Sequence, residues 1–203
     1  MKKYAVLHEP GDIVTLAGTR FVVLDVERRG SLPDSLFLLA LESVGASEFG
    51  SSNNYAESDL KKAVDKWLED MGKRGLDNAK LIPREIDLTT LDGSGCYGKL
   101  SVKAAPLTLD EAREYADIIP NAERWCWLAT GWSGPSKSDG GSALYVDSNG
   151  DWNGNLCSNS YGIRPALKAP SILFEDSEAG LDLSKIPTDD LLQEIHRRLA
   201  EKA

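Results

Sequence analysis

Residues 142–156 read Ser-Ala-Leu-Tyr-Val-Asp-Ser-Asn-Gly-Asp-Trp-Asn-Gly-Asn-Leu and carry the strongest structural signal in the chain. Their centre, Asp-Ser-Asn-Gly-Asp at 147–151, is typical of a β-hairpin turn. Gly150 suits the third position of a three-residue loop, which requires a left-handed backbone. A two-residue loop at Asn149 and Gly150 is the competing interpretation.

The length of the loop determines which side chains share a face of the hairpin. A three-residue loop pairs Val146 with Trp152 and Tyr145 with Asn153, whereas a two-residue loop places amides on the apolar face. We therefore predict the three-residue loop. In this register the buried face carries Leu144, Val146, Trp152 and Leu156, and the outward face carries Tyr145, Asn153 and Asn155.

The same turn has a calcium-binding interpretation, because acidic and amide side chains alternate over 147–153. Calcium loops of this type carry glycine at their sixth position and a bidentate glutamate at their twelfth. Here Trp152 and Ser158 occupy those positions. We predict a plain hairpin with no metal and no cofactor, and a weak calcium site remains the alternative.

Further strands are predicted on both sides of this hairpin. The β-branched runs around 17–19 predict a hairpin over 12–26, and the apolar run at 35–41 predicts a buried strand. Short strands are also expected at 125–130 and 163–167, separated by glycine-rich loops.

Two helices are predicted between these groups of strands. The first begins near Ser58, and Gly72 is expected to end it. The second begins at the capping box Thr108-Leu-Asp-Glu111 and runs until Pro120. The apolar stripe of the first helix consists of Leu60, Ala63, Val64, Trp67, Leu68 and Met71.

The domain organisation follows from the same patterns. We predict one domain over 1–168, a linker over 169–187 and an amphipathic C-terminal helix over 188–203. So short a helix needs a surface to pack on. That surface is either its own domain or a second copy of the chain, and the second arrangement makes a homo-oligomer. The apolar stripe of this helix consists of Leu191, Leu192, Ile195 and Leu199.

The composition is that of an acidic globular protein. The 203 residues carry a net charge of −9, which disfavours nucleic acids and anionic membranes as partners. No apolar stretch is long enough to span a membrane, and the first residues lack the apolar run of a signal peptide. We therefore expect a cytoplasmic or virion-associated protein.

Residues suited to catalysis or metal binding are scarce. Cys96, Cys126 and Cys157 are far apart in the sequence, and the two histidines are His8 and His196. Their spacing predicts neither a disulfide framework nor a zinc site, and it leaves little material for histidine-dependent catalysis. We therefore expect that the protein is not an enzyme.

The order of the motifs resembles a known family. Four motifs follow one another along the chain. The first two lie within 53–68 and 107–115, and the last two are Trp125-Cys-Trp-Leu-Ala-Thr130 and Tyr161-Gly-Ile-Arg-Pro-Ala-Leu167. Together they are similar to uncharacterised domains of gut Firmicutes and of their phages and mobile elements, which carry a double-tryptophan strand, a Gly/Ser-rich loop, a hairpin and a closing Gly-Val-Arg-Pro-Ala-Leu. This chain departs from that pattern at Cys126, where tryptophan is usual.

That family is similar in turn to the C-type-lectin fold, as used by formylglycine-generating enzymes and by the variable proteins of diversity-generating retroelements. The resemblance implies an α+β domain with small twisted antiparallel sheets, two helices and long ligand-binding loops. Formylglycine-generating enzymes hold copper with two nearby cysteines, whereas Cys157 stands alone. The resemblance therefore implies a ligand- or receptor-binding module. A structural particle protein and an enzyme with an unrecognised site are the alternatives.

The predicted ligand, a protein or a glycan, contacts the last hairpin and its neighbouring loops. Tyrosine, asparagine and serine provide adaptable contacts there, as they do in antibody loops. The composition of 145–161 is also that of segments diversified by retroelements, although ordinary turns use the same residues. The predicted binding residues are Trp132, Tyr145, Asn153, Asn155, Asn159 and Tyr161.

Three other conspicuous residues are expected to be structural. By strand alternation, Trp125 and Trp127 belong to the core or to its edge. Arg164 lies in a strand that should be buried, so backbone carbonyls or an acid such as Glu42 are its expected partners.

Overall fold

The computed structural model describes residues 8–30 and 32–174, together with Thr188, Asp189 and Leu192. In this part of the chain the architecture is α+β, with small, mostly antiparallel sheets and two α-helices. In chain order the elements are β1 (Ile13–Leu16), β2 (Thr19–Arg29), β3 (Leu32–Ala40), β4 (Ala46–Glu48), α1 (Asp59–Lys73), β5 (Arg84–Asp87), β6 (Lys99–Val102), β7 (Ala104–Ala105), α2 (Leu109–Glu114), β8 (Cys126–Gly131), β9 (Ser142–Val146), β10 (Trp152–Leu156), β11 (Ser160–Gly162) and β12 (Ala166–Pro170).

The first sheet has the strand order β1-β2-β3-β12-β7. β1 and β2 form the hairpin predicted over 12–26, and β3 contains the predicted buried run. β12 returns from the far end of the domain and pairs antiparallel with β3, with Ala166 opposite Leu39. This sheet therefore joins the beginning and the end of the domain.

The second sheet has the order β10-β9-β8-β11-β4 and contains the hairpin at 142–156. Val146 pairs with Trp152 and Tyr145 with Asn153, as predicted for a three-residue loop. The Asp147 N–H donates to the Asp151 carbonyl over 2.9 Å, and Gly150 has a φ of 90°. The predicted register is confirmed.

The predicted faces of this hairpin are wrong in part. Tyr145 is only 5% exposed, whereas Trp152 is 43% and Leu156 is 59% exposed. β9 is an inner strand whose two faces pack into two different core clusters, so both Leu144 and Tyr145 are buried. β10 lies at the edge of the sheet, where its apolar side chains keep contact with solvent.

The first predicted helix is confirmed as α1, with the Ser58 side chain capping its first turn. It does not end at Gly72. The chain leaves the helix at Gly75, which has a φ of 103°. There the Leu76 N–H donates to the Met71 carbonyl over 3.1 Å, a bond characteristic of a glycine-terminated helix.

The second predicted helix begins at the capping box as expected but ends at Glu114, well before Pro120. After Tyr115 the chain turns, and Ile118 and Ile119 both pack against the core. The segment after the helix therefore contributes its own apolar contacts to the core.

The packed part of the chain continues past residue 168, where the sequence predicted a linker. β12 runs through Pro170, and a short 3-10 helix, Ser171–Phe174, buries Phe174. The predicted helix over 188–203 lies outside the described residues, apart from Thr188, Asp189 and Leu192, whose backbone is helical. In the described ranges, no helix has the length and apolar character that crossing a membrane requires.

Candidate functional site

Four aromatic side chains gather on one face of the second sheet. Trp125 immediately precedes β8 and Trp127 is its second residue. Tyr145 lies opposite Trp127 on β9, and Tyr161 lies on β11. The Trp127 and Tyr161 ring centres are 4.5 Å apart, and those of Tyr145 and Tyr161 are 4.9 Å apart. We call these four residues the aromatic face.

The aromatic face is buried at one end and open at the other. Trp127 is 1% exposed, and its indole N–H donates to the Ser47 carbonyl over 3.0 Å. Trp125 is 43% exposed and stacks on Tyr145, with ring centres 5.0 Å apart and planes 14° from parallel. One side of the Trp125 indole is therefore held against protein, while much of the ring faces solvent.

Amide side chains extend the aromatic face across β10 and the following turn. The Asn155 Nδ2 donates to the Tyr161 Oη over 2.7 Å, and the Asn159 Nδ2 donates to the Asn155 Oδ1 over 2.8 Å. Asn153 is exposed beside this chain of hydrogen bonds. The chain of bonds orients the Tyr161 hydroxyl, which keeps its own proton to donate.

An open groove of about 460 Å³ runs along Trp125 and Tyr161. Charged side chains and hydroxyls form its polar walls. These belong to Glu123, Arg124, Ser148 and Ser160. Ser148 comes from the hairpin turn, so the three-residue loop contributes directly to the groove.

Three buried ionisable groups around the second sheet favour their neutral forms. Burial raises the pKa of Tyr145. Burial also raises the pKa of Cys126 to about 11 and that of Cys157 to about 12. At neutral pH the phenol and both thiols therefore carry their protons.

Arg164 is held by backbone carbonyls, as expected from the sequence. Its Nε donates to the Ala40 carbonyl over 2.8 Å and its Nη1 to the Pro120 carbonyl over 2.9 Å. Glu42, the acid suggested by the sequence, pairs with Arg20 instead.

The turn at 147–151 uses its leading carboxylate to close the loop. One Asp147 oxygen accepts the N–H groups of Asn149 at 2.7 Å and of Asp151 at 3.1 Å. Asp147 therefore acts as an ordinary turn-capping residue. Within the described ranges, no three His, Cys, Asp or Glu side chains are grouped so as to hold a metal ion.

The structure brings most of the predicted binding residues together. The Tyr161 ring contacts Tyr145, and its hydroxyl is bonded to Asn155, which is bonded in turn to Asn159. Asn153 lies on the same face. Tyr145, predicted to point outward, is instead buried beneath Trp125.

Trp132 lies apart from this group. It is half-buried, and its ring covers Gly154 on the opposite face of the sheet, the face shared by Leu144. The structure therefore does not bring Trp132 together with the other predicted binding residues.

Trp125 is the residue of this site that the sequence interpretation missed. Alternation placed it with Trp127 in the core or at its edge, but it immediately precedes β8 and follows the exposed pair Glu123 and Arg124. That charged pair was the available signal that the strand had not yet entered the core.

Comparison of the chain with models of protein families, with curated proteins and with solved structures gives no match.

Proposed function

We propose that this protein is a non-enzymatic ligand-binding module whose ligand lies against the open end of the aromatic face. The observation that carries this proposal is the exposed indole of Trp125, stacked in a fixed orientation on Tyr145. A large aromatic side chain that is already ordered loses little conformational entropy when a ligand covers it. Such residues commonly dominate binding energy.

A saccharide is the ligand class that matches this surface best. One side of a sugar ring presents weakly positive C–H groups, and the face of an indole is negative. The hydroxyls at the ring edge would meet the amides of Asn153 and Asn159 and the serine hydroxyls of the groove. A protein ligand is the alternative, since exposed tryptophan and tyrosine are also common in protein interfaces.

The chemistry of the two buried thiols supports binding over covalent catalysis. A catalytic cysteine has a lowered pKa, because the thiolate is the nucleophile. Burial instead raises the pKa of Cys126 to about 11 and of Cys157 to about 12.

We further propose that the fold is C-type-lectin-like. Support comes from the small sheets, the two helices, the return of β12 to β3 and the irregular loops beside the hairpin. A narrower proposal, that 145–161 is diversified by a retroelement, rests on its Asn- and Ser-rich composition. A reverse-transcriptase gene and a near-copy of this segment in the neighbouring DNA would support that narrower proposal, and their absence would refute it.

Replacement of Trp125 by alanine tests the binding proposal. The full chain is titrated with a panel of mono- and oligosaccharides, and tryptophan fluorescence and calorimetry report binding. We expect the Trp125→Ala variant to lose at least tenfold in affinity for any saccharide that the parent chain binds.

Trp152→Ala is the matched control, because Trp152 is also 43% exposed but lies on the opposite face. We expect this variant to bind as the parent does. Equal binding by the Trp125→Ala variant would refute the site. Binding of a protein, but of no saccharide, through Trp125 would refute only the ligand class.

A further inference from the structure

A second cavity lies on the opposite side of the second sheet from Trp125. It opens between the hairpin turn and the segment after α2, and it has a volume of about 90 Å³. Its floor consists of buried apolar side chains with one arginine. The floor residues include Leu39, Leu107, Ala112, Leu128, Cys126 and Arg164.

Arg164 is the only charged side chain among the described residues that line this cavity. It is 6% exposed, and its two bonded nitrogens donate to neutral carbonyls. Its third nitrogen, Nη2, is buried and has no hydrogen-bond partner among the described residues. A buried guanidinium without a carboxylate is costly, so this nitrogen is expected to have a partner from outside the protein.

The surroundings leave the charge of Arg164 largely uncompensated. Glu42 is near enough to interact electrostatically, but its carboxylate is bound to Arg20 and exposed. The Cys126 thiol on the cavity floor is neutral, because burial raises its pKa to about 11. A second cation, Arg113, lies 5.6 Å from the centre of the Trp152 ring, which lines the cavity, and it also pairs with the exposed Asp110.

The size of the cavity limits which ligand can fill it. Apolar cavities of about 150 Å³ accept benzene, which has six carbons. By that scale, a cavity of about 90 Å³ holds roughly three to four non-hydrogen atoms, so it takes the carboxylate and the first carbons of a short acid, and the rest of the chain lies in the opening lined by Trp152.

We propose that this cavity binds a short-chain aliphatic monocarboxylate, whose carboxylate accepts a hydrogen bond from Arg164 and whose chain packs on the apolar floor. The arginine supplies selectivity for the anion, since its planar donors match a carboxylate. The apolar walls supply selectivity for the chain. This site shares Trp127 with the aromatic face but opens on the other side of the sheet, and it does not depend on the function proposed for that face.

Calorimetric titration of the intact protein with pentanoate, pentanamide and acetate tests the proposal. Pentanamide has the shape of pentanoate without its charge, and acetate has the charge without the chain. We expect pentanoate to bind at least tenfold more tightly than either. No binding of pentanoate, equal binding of pentanamide, or equal binding of acetate would each overturn the proposal.

Two variants locate the site. Ala116 is exposed and lines the rim, so Ala116→Phe should cover the opening without disturbing the core. We expect this variant to lose at least tenfold in pentanoate affinity. Asp117→Phe is the matched control, because Asp117 is exposed beside it but does not line the cavity.

Arg164→Lys should also lose pentanoate binding, although the loss of the bonds to Ala40 and Pro120 can unfold it. The rim variant keeps the proposal testable in that case. The indole signals of Trp127 and Trp152, which line the cavity, should shift in NMR spectra on addition of pentanoate. Unchanged affinity in Ala116→Phe, or a shift confined to Trp125, would overturn the assignment.

Discussion

Asn53 connects three separate segments of the molecule through one buried amide. It is 1% exposed, and its Nδ2 donates to the Ser133 carbonyl over 2.8 Å and to the Ser142 carbonyl over 3.0 Å. Its Oδ1 accepts the Tyr97 hydroxyl over 2.6 Å. The amide therefore ties the loop before α1 to both ends of the 132–142 loop.

Replacement of Asn53 by alanine should lower the free energy of unfolding by about 2–4 kcal/mol, because it removes three hydrogen bonds and leaves the Ser133 carbonyl and the Tyr97 hydroxyl without their partner. Urea denaturation followed by circular dichroism measures the change. Tyr97→Phe, which removes one of the three bonds, should cost only about 1 kcal/mol. A loss in Asn53→Ala no larger than that in Tyr97→Phe would contradict this role.

The buried thiols make stability depend on alkaline pH. The ordinary thiol pKa is 9.0, and burial raises it to about 11 in Cys126 and about 12 in Cys157. Above pH 9 the unfolded chain releases these protons while the folded chain keeps them. The free energy of unfolding therefore falls as the pH rises from 9 towards 11, by up to about 1.4 kcal/mol per pH unit for each thiol.

Urea denaturation at pH 8 and pH 10 measures this decline. The double variant Cys126→Ala with Cys157→Ala should show a shallower one. Cys96→Ala is the control, because Cys96 is exposed, and it should retain the full decline. An equal decline in the parent and the double variant would show that the thiols are not responsible.

At the scale of single elements, α2 depends on one glutamate with two roles. The Glu111 carboxylate accepts the Thr108 N–H over 2.8 Å and also pairs with Arg84, whose side chain is 8% exposed. The same arginine donates to the Ala105 carbonyl over 3.0 Å and lies over Phe37. Glu111 thus fixes both the start of the helix and a buried cation.

Removal of Glu111 should therefore cost more than removal of the cap alone. We expect Glu111→Ala to lower the free energy of unfolding by about 3–5 kcal/mol, since it leaves the buried Arg84 guanidinium without its carboxylate partner. Thr108→Ala should cost about 1 kcal/mol. Asp110→Ala, in the same first turn but exposed, should change stability by less than about 0.5 kcal/mol. Denaturation of all three variants compares them, and equal losses in Glu111→Ala and Thr108→Ala would contradict the ion-pair role.

At the scale of the whole molecule, the end of the described domain exposes apolar side chains. Ile172 is 62% exposed, and Ile13 on the adjoining strand β1 is 50% exposed. The sequence predicts an amphipathic helix over 188–203 that needs a packing surface. These two isoleucines offer one on the same chain.

If the helix packs on its own domain, as we predict, deletion of 186–203 should lower the melting temperature and leave the mass measured by light scattering unchanged. Ile172→Ser should lower the melting temperature of the full chain but not that of the shortened chain. The substitution and the deletion would each remove the same contact, between Ile172 and the helix. A mass that changes on deletion would show instead that the helix joins two copies of the protein.

Features that depend on neighbouring residues were predictable from the sequence. The register of the 142–156 hairpin follows from one turn, the start of α1 from Ser58 and the start of α2 from its capping box. Each is a contact across a few residues, so the chemistry that creates it lies within the pattern itself. The ends of both helices were less predictable, because core packing after Tyr115 and the glycine at 75 compete with other stop signals.

Only the tertiary structure decided which side of each strand is covered. Alternation separates Tyr145 from Leu144, but it cannot tell that the inner strand β9 is buried on both sides while the edge strand β10 exposes Trp152. For the same reason, alternation did not predict that Trp125 is exposed or that Trp132 lies on the other face of the sheet. Burial depends on neighbours that are distant in sequence, such as Phe49 against Trp127, whose rings lie 5.6 Å apart. The residue types of the site could therefore be predicted from the sequence, whereas their arrangement around Trp125 depends on long-range packing.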